Sequence, residues 1–473
     1  MSQPLNKSDA LASLPPEWPE PLLPQIQTAI KASGRKIVVL DDDPTGTQTV
    51  YDLPVLTEWS IESLSAEFAD ASAAFYILTN SRSLPLNEAQ ALNRELGHNL
   101  VVAAKQVGCD FVVVSRSDST LRGHFPGEVE ALAKALNQSF DGWLLIPYFL
   151  EGGRYTINDV HYVAEGDVLI PAAETPFAQD SAFGYRSSNL RAWIEEKTGG
   201  RVPAEKVASI SLDDIRQGGP ERVAQQLASL NNGSTCLVNA VSQRDMDVFV
   251  HGSLLAEAQG QQFLYRTAAS FVQARLGLAP RPLLTANDLD LPESGGGLII
   301  VGSHVPKTTH QVETLLAQTG VKGIEVAVEA LLDETRRAVT IDQAVAQIEQ
   351  GLRQNHEVMV YTSRRLVTGS DAGASLALGR RVSESLVQIV RSISVRPRYL
   401  LAKGGITASD VATQGLGLKR AWVLGQILPG VPVWRAGAES RQPGLAYIVF
   451  PGNVGNDAAL VEVVTKLRHR LPG

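Results

Sequence analysis

Short apolar runs rich in β-branched and aromatic residues, each followed by a longer stretch of helical period, recur along most of the 473 residues. That alternation favours parallel sheets covered by helices, because a strand buried on both faces needs a helix over each and the crossover between parallel strands supplies it. The runs predict strands at 36–40, 74–78, 111–114, 143–146, 235–238 and 262–265 in the first half, and at 298–301, 357–361, 399–402, 432–434 and 446–450 in the second. Between them Ala89, Leu92, Leu96, Leu100, Ala103 and Val107 predict a helix over 86–107, with Asn87 and Gln90 as its capping pair. Further helices are expected over 371–391 and 457–467. The looser stretch 151–188 reads as inserted loops or a small hairpin layer. The expected class is therefore α/β: two α/β domains with largely parallel sheets covered by helices, and ligand sites at strand carboxyl ends facing an interdomain cleft. The boundaries expected are an N-terminal arm at 1–34, a first domain at 35–276, a proline- and glycine-rich linker at 277–297 and a second domain at 298–473.

Charge narrows the partners. With 42 Lys+Arg against 50 Asp+Glu and no basic stripe, nucleic acid is not expected. No run approaches 18 apolar residues, so no membrane span is expected, and the two cysteines, Cys109 and Cys236, fit a reducing cytoplasm. Small molecules are the expected ligands, and association into a homo-oligomer is left open.

The residues that follow the first-half strands are polar in an unusual way: Asp41-Asp42-Asp43-Pro44-Thr45-Gly46, then Thr79-Asn80-Ser81-Arg82, then Ser115-Arg116-Ser117-Asp118-Ser119-Thr120-Leu121-Arg122-Gly123. Adjacent aspartates repel and need a cation or hydroxyl donors. Any one of these clusters alone reads equally well as a turn or a helix cap. Three successive strand ends carrying Asp, Arg and Ser together suit a small polyhydroxy acid, since a guanidinium binds a carboxylate through two parallel hydrogen bonds while Asp and Ser bond hydroxyls.

The second-half strand ends are glycines and hydroxyls: Gly302-Ser303-His304, Thr362-Ser363-Arg364, Lys403-Gly404-Gly405-Ile406-Thr407 and Pro451-Gly452-Asn453-Val454-Gly455-Asn456. Thr407 with Asp410 reads as a capping box, which sets Gly404 and Gly405 at a helix N-terminus, and Asn456 reads as the cap of the last helix. Glycine loops at helix starts can hold phosphates through backbone N–H groups, although each alone serves equally as a tight turn. No Gly-Lys dipeptide occurs, which excludes a Walker A loop, and GxGxxG, HExxH and GxSxG are absent.

The motifs Asp42-Asp43-Pro44-Thr45-Gly46, Asp118-Ser119-Thr120-Leu121-Arg122-Gly123, Lys403-Gly404-Gly405-Ile406-Thr407-Ala408 and Pro451-Gly452-Asn453-Val454-Gly455 together resemble those of the four-carbon acid sugar kinase family, over nearly the whole chain after the arm. The resemblance implies a sugar-acid-binding first domain, a nucleotide-binding second domain and phosphorylation of the terminal hydroxyl of threonate, erythronate or 3-oxo-tetronate by ATP. By motif, Asp42, Asp43, Arg82, Arg116, Ser117, Asp118, Ser119 and Arg122 fall at the acid site, and Ser303, Gly404, Gly405, Ile406, Thr407 and Gly452 at the nucleotide site. Arg82 and Arg116 are expected to hold the substrate carboxylate. Asp43 or Asp118 is expected to act as base, with Asp43 favoured because Asp42 beside it would raise its pKa. Mg²⁺ is expected with ATP, held by phosphates and water, and no protein ligand to it is assigned. A non-catalytic regulator that binds a sugar acid or nucleotide is the alternative, and an aldolase or isomerase would not need the second glycine-rich half.

Overall fold

The structure is a computed structural model and describes residues 3–364 and 372–468. The chain divides into two units, the first Met1–Val50 with Glu58–Pro280, the second Tyr51–Thr57 with Arg281–Gly473.

In the first unit seven strands pair in parallel, in the order Ala208–Ile210, Ser234–Val238, Gly142–Ile146, Phe263–Thr267, Phe111–Arg116, Lys36–Asp41 and Ala74–Leu78. Every residue of Lys36–Asp41 and Ala74–Leu78 is buried, as expected of parallel strands covered on both faces. Each fully buried Val, Ile or Leu there contributes roughly 1.5–3 kcal/mol. The helix Leu86–Val107 buries Ala89, Leu96, Leu100 and Ala103 along one stripe. Its N-cap is Pro85 with no side-chain cap, so Asn87 lies inside the first turn and Gln90 in the second, and Gln90 Nε2 instead donates to the Gly127 carbonyl at 3.4 Å. The stretch expected as a hairpin layer is an antiparallel sheet of Arg154–Ile157, Val160–Glu165 and Val168–Pro171, to which Leu5–Asn6 adds an edge. The arm thus contributes a strand and the helices Lys7–Ala12 and Leu23–Ser33 to this unit.

The second unit has a mixed sheet. Val321–Val326, Glu357–Thr362, Leu298–Val301, Leu400–Lys403 and Ala446–Phe450 pair in parallel. Val431–Ala436, Arg420–Leu428 and Leu53–Leu56 continue the sheet antiparallel. Leu53–Leu56 belongs here although it lies within the segment expected for the first domain, because its backbone pairs with Arg420–Val423 and Asp52 N donates to Val423 O at 2.7 Å. The expected linker is not free chain: Leu284, Ala286, Leu289 and Leu291 are buried in the core of this unit. Ala459–Arg468 closes that core with Leu460, Val463, Val464 and Leu467. The helix expected over 371–391 is Ala372–Ser392, with Asp371 outside the described residues. Among the described residues no helix is long and apolar enough to cross a membrane.

Candidate active site

Parallel pairing puts the carboxyl ends of Lys36–Asp41, Ala74–Leu78, Phe111–Arg116 and Phe263–Thr267 on one edge of the first sheet. Arg82 sits in a short 3₁₀ turn after the second of these. Its guanidinium grips Asp42 in a fork, Nη2 to Oδ1 at 2.6 Å and Nε to Oδ2 at 3.3 Å, and its Nη1 faces Asp118 Oδ1 at 3.5 Å and Asp43 Oδ2 at 3.7 Å. Arg122 returns from the next turn to Asp118, with Nε to Oδ2 at 2.9 Å and Nη2 to Oδ1 at 3.3 Å. Asp118 Oδ2 also accepts from Thr120 N, Thr120 Oγ1 and Arg122 N. Asp42, Asp43, Arg82, Asp118 and Arg122 are thus brought together as one ionic network. Ser117 and Ser119 lie in the same turn, and neither hydroxyl makes a hydrogen bond among the described residues. The Ser117 N–H donates to Thr267 O at 2.8 Å, and the Ser119 carbonyl contacts His161 Nε2 at 2.7 Å.

Two expectations change. Arg116 is the last residue of its strand rather than a loop residue, and it is 4% exposed with Nη1 on Asp41 Oδ1 at 3.2 Å. The ion pair spends its Nη1, its Nε is buried with no hydrogen-bond partner, and Arg82 is engaged by Asp42 through a fork. The electrostatics of Asp43 also run opposite to the expectation. Burial would raise its carboxyl, but Arg82 and the Thr45 donors outweigh that and hold it below the ordinary range. Asp118 lies well below that range, burial being overcome by Arg82 and Arg122. The aspartate that burial does push up is Asp41, against the pull of Arg116.

Gly46 shows how tightly the loop is laid over this pair, since a Cβ there would stand 2.0 Å from Asp41 Oδ2. The residues not anticipated at this edge are Asp41 as a buried partner and Arg266, the penultimate residue of Phe263–Thr267. The signal for both was polarity at the end of an apolar run.

In the second unit the parallel strand ends bring Ser303, Gly404 and Gly452 together: a Cβ on Gly404 would stand 3.1 Å from Ser303 Cβ, and one on Gly452 3.2 Å from Ser303 Oγ. Gly404 has φ 119 and is the N-cap of the short helix Gly405–Asp410, so the conformation that demands glycine is at 404. The helix begins two residues before Thr407, which is therefore no cap. Thr407 packs instead beneath Gly302, where a Cβ would meet its Oγ1 at 2.2 Å. The first-turn N–H groups of Gly405, Ile406 and Thr407 have no intrahelical acceptor. Ile406 is 59% exposed. Thr308 Oγ1, a residue not anticipated, bonds Gly452 O at 3.0 Å and Ser303 Oγ at 3.1 Å. Lys403 is fully buried, and its Nζ donates to Pro451 O at 2.6 Å and Gly452 O at 3.2 Å, which ties the two glycine loops together. Burial, helped by Lys307, lowers its pKa to about 7. A neutral amine still has two N–H donors, enough for both carbonyls. Asn456 Oδ1 accepts from Ala458 N ahead of the last helix. Among the described residues no group of three or more His, Cys, Asp and Glu is arranged to hold a metal.

A sugar-binding N-terminal domain family model matches residues 37–275, and a nucleotide-binding C-terminal domain model matches 298–460. The chain belongs to the four-carbon acid sugar kinase family. It is 23% identical over 457 residues to a 3-oxo-tetronate kinase of Pectobacterium atrosepticum, covering 89% of this chain and 97% of the relative. It is 27% identical over 447 residues to a 3-oxo-tetronate kinase of Burkholderia multivorans, at 90% and 95% coverage. A Haemophilus influenzae protein of known structure shares the fold with TM-score 0.62 at 21% identity, covering 91% of this chain and 100% of that one. A Salmonella typhimurium chain described as a putative tRNA synthase does so with TM-score 0.65 at 17% identity, at 90% and 98% coverage. These two likenesses establish the fold alone.

Proposed function

We propose that the protein is an ATP-dependent kinase that phosphorylates the terminal hydroxyl of a four-carbon sugar acid, with threonate, erythronate and 3-oxo-tetronate as the candidates. The observation that carries this reading is the contrast between two carboxylates of the first-unit network. Asp118 has both oxygens filled by Arg82, Arg122 and Thr120. Asp43 spends Oδ1 on Thr45 but leaves Oδ2 with only a 3.7 Å contact to Arg82, on a side chain 23% exposed. An ionised oxygen with open lone pairs is what an attacking hydroxyl needs for orientation and for proton acceptance as its bond to phosphorus forms. Asp43 is therefore the proposed base, on geometry rather than on a raised pKa. Asp118 is proposed to shape the turn whose Ser117 and Ser119 hydroxyls bond the substrate.

In the second unit the N–H groups of Gly405, Ile406 and Thr407, with Ser303 and Gly452, are proposed to hold the ATP phosphates. The hydroxyl and N–H donors there fit a Mg²⁺ carried on phosphate and water, which when bound neutralises the charge on the transferred group. The names of the curated relatives support a 3-oxo acid as substrate. Release of ADP measured with each four-carbon acid tests the reading: ADP formation that depends on one of them supports it, and ATP turnover indifferent to every acid contradicts it. The regulator alternative predicts acid binding with no ADP at all.

A further inference from the structure

The arginines of the first-unit network are not equal. Arg82 has Asp42 at 2.6 Å, Arg116 has Asp41 at 3.2 Å and Arg122 has Asp118 at 2.9 Å. Arg266 shares the same strand-end edge, is 6% exposed, and makes one long hydrogen bond, Nη1 to Ser115 Oγ at 3.5 Å. No carboxylate among the described residues reaches it within 4.0 Å. A buried guanidinium in that condition is costly, because the water it lost has not been replaced by an anion. Burial accordingly lowers its pKa, opposed from beyond ion-pair distance by Asp42 and Glu128. Asp42 is already taken by Arg82, and Glu128 spends Oε1 on Ser81 Oγ at 2.5 Å and Asn93 Nδ2 at 3.1 Å, while its Oε2, buried without a hydrogen-bond partner, stays beyond 4.0 Å of the Arg266 guanidinium.

The substrate turn itself touches Arg266. Gly123 has φ 119, and a Cβ there would lie 2.9 Å from Arg266 Nη2 and 3.3 Å from Asp42 Oδ2. The turn that carries Ser117, Asp118 and Ser119 thus ends against this guanidinium, where only glycine fits. We propose that Arg266 binds the carboxylate of the substrate and thereby selects an acid over a neutral sugar. The assignment rests on the kinase reading above and prefers Arg266 to Arg82 and Arg116, whose charges are each already balanced by an aspartate. A carboxylate supplies the missing anion, and the planar fork binds it through two parallel hydrogen bonds.

The test uses the full chain, with Arg266→Gln and Arg266→Lys beside wild type, and titrates threonate, erythronate and 3-oxo-tetronate, the uncharged amide of whichever acid binds, and ATP. Loss of a desolvated charged contact predicts that Arg266→Gln binds the acid at least about 10-fold more weakly, with Arg266→Lys in between. Affinity for the amide and for ATP should stay within about twofold, a pattern that general structural damage would not give. Acid affinity within twofold of wild type in Arg266→Gln would overturn the proposal. So would an equal loss for acid and amide, a loss for ATP that points to phosphate as the anion, failure of both variants to fold, or no acid binding to wild type. Acid binding that depends on Arg266 without ADP formation would instead retain the binding role and remove the kinase reading.

Discussion

At the strand ends of the first unit the polar groups are charged side chains: Arg82, Arg116 and Arg122 each hold an aspartate at 2.6–3.2 Å. At those of the second they are mostly backbone, with Gly404 at φ 119, Gly452 against Ser303, and Lys403 spent on the carbonyls of Pro451 and Gly452. A small hydroxy acid differs from its neighbours only in where its hydroxyls and carboxylate lie, so reading it takes many fixed polar groups. Phosphates are common to all nucleotide triphosphates, and a loop of N–H donors suffices for them. The difference also governs tolerance. A charge network fails when one partner is left unpaired, whereas a glycine loop fails when a side chain fills it.

The sharpest way to break this contrast is at Asp43. Asp43→Asn should lower kcat by roughly 10²-fold or more while both ligands still bind, because Asn keeps the shape but cannot accept the proton. Asp118→Asn should act differently, raising KM for the acid and lowering Tm, since Thr120 and Arg122 lose the oxygen they share. Single-turnover assays with preloaded ATP, paired with thermal melts, separate the two. Equal kcat losses in both variants would merge the roles.

Gly404→Val tests the other side. A side chain at φ 119 costs about 1–3 kcal/mol of backbone strain, and its Cβ would crowd Ser303, so ATP should bind about 10-fold or more weakly while acid affinity is kept. Unchanged ATP affinity in the folded variant would reduce this loop to a turn. Gly405 lacks a positive φ and is expected to be the more tolerant of the two.

The smallest expected effect concerns Lys403. Its folded pKa is lowered to about 7 from 10.5, so between those values the unfolded chain holds a proton that the folded chain has released. Stability should therefore rise with pH across that window, by up to about 1.4 kcal/mol per pH unit from this group. Lys403→Met should remove that slope, which urea titrations at pH 7.5 and 9 would show. An identical slope in the variant would mean that Lys403 stays charged in the fold.

Most of the strands and the long helix Leu86–Val107 are legible because apolar burial on both faces leaves long uninterrupted runs. What was misread lies one or two residues beyond those runs. Strands expected to stop at Leu40, Val114, Tyr265 and Ala402 continue to Asp41, Arg116, Thr267 and Lys403. Backbone pairing continues there, Asp41 opposite Arg116 and Arg116 opposite Thr267, and Asp41, Arg116 and Lys403 are buried because they pair with one another or with carbonyls. Sequence alone therefore reads Arg116 as a loop residue and assigns neither Arg266 nor Lys403 to a site, although both lie at strand ends beside the two candidate sites. Arg420–Leu428 was missed because Gly425 and Gln426 interrupt its apolar pattern at register shifts, and Val321–Val326 because Lys322, Gly323 and Glu325 mark an edge strand. The candidate acid site was legible as a set of residues, since clustered Asp and Arg have few structural uses. Its internal roles were not, because they depend on which oxygen each donor reaches.

Hydrogen exchange of the full chain with one ligand at a time tests most directly the division of labour between charge and backbone. The account predicts that a four-carbon acid alone slows amide exchange at 41–46, 79–82 and 115–123, and that Mg²⁺–ATP alone slows it at 302–308, 403–408 and 451–456. Acid protection confined to the second set, or nucleotide protection confined to the first, would contradict it.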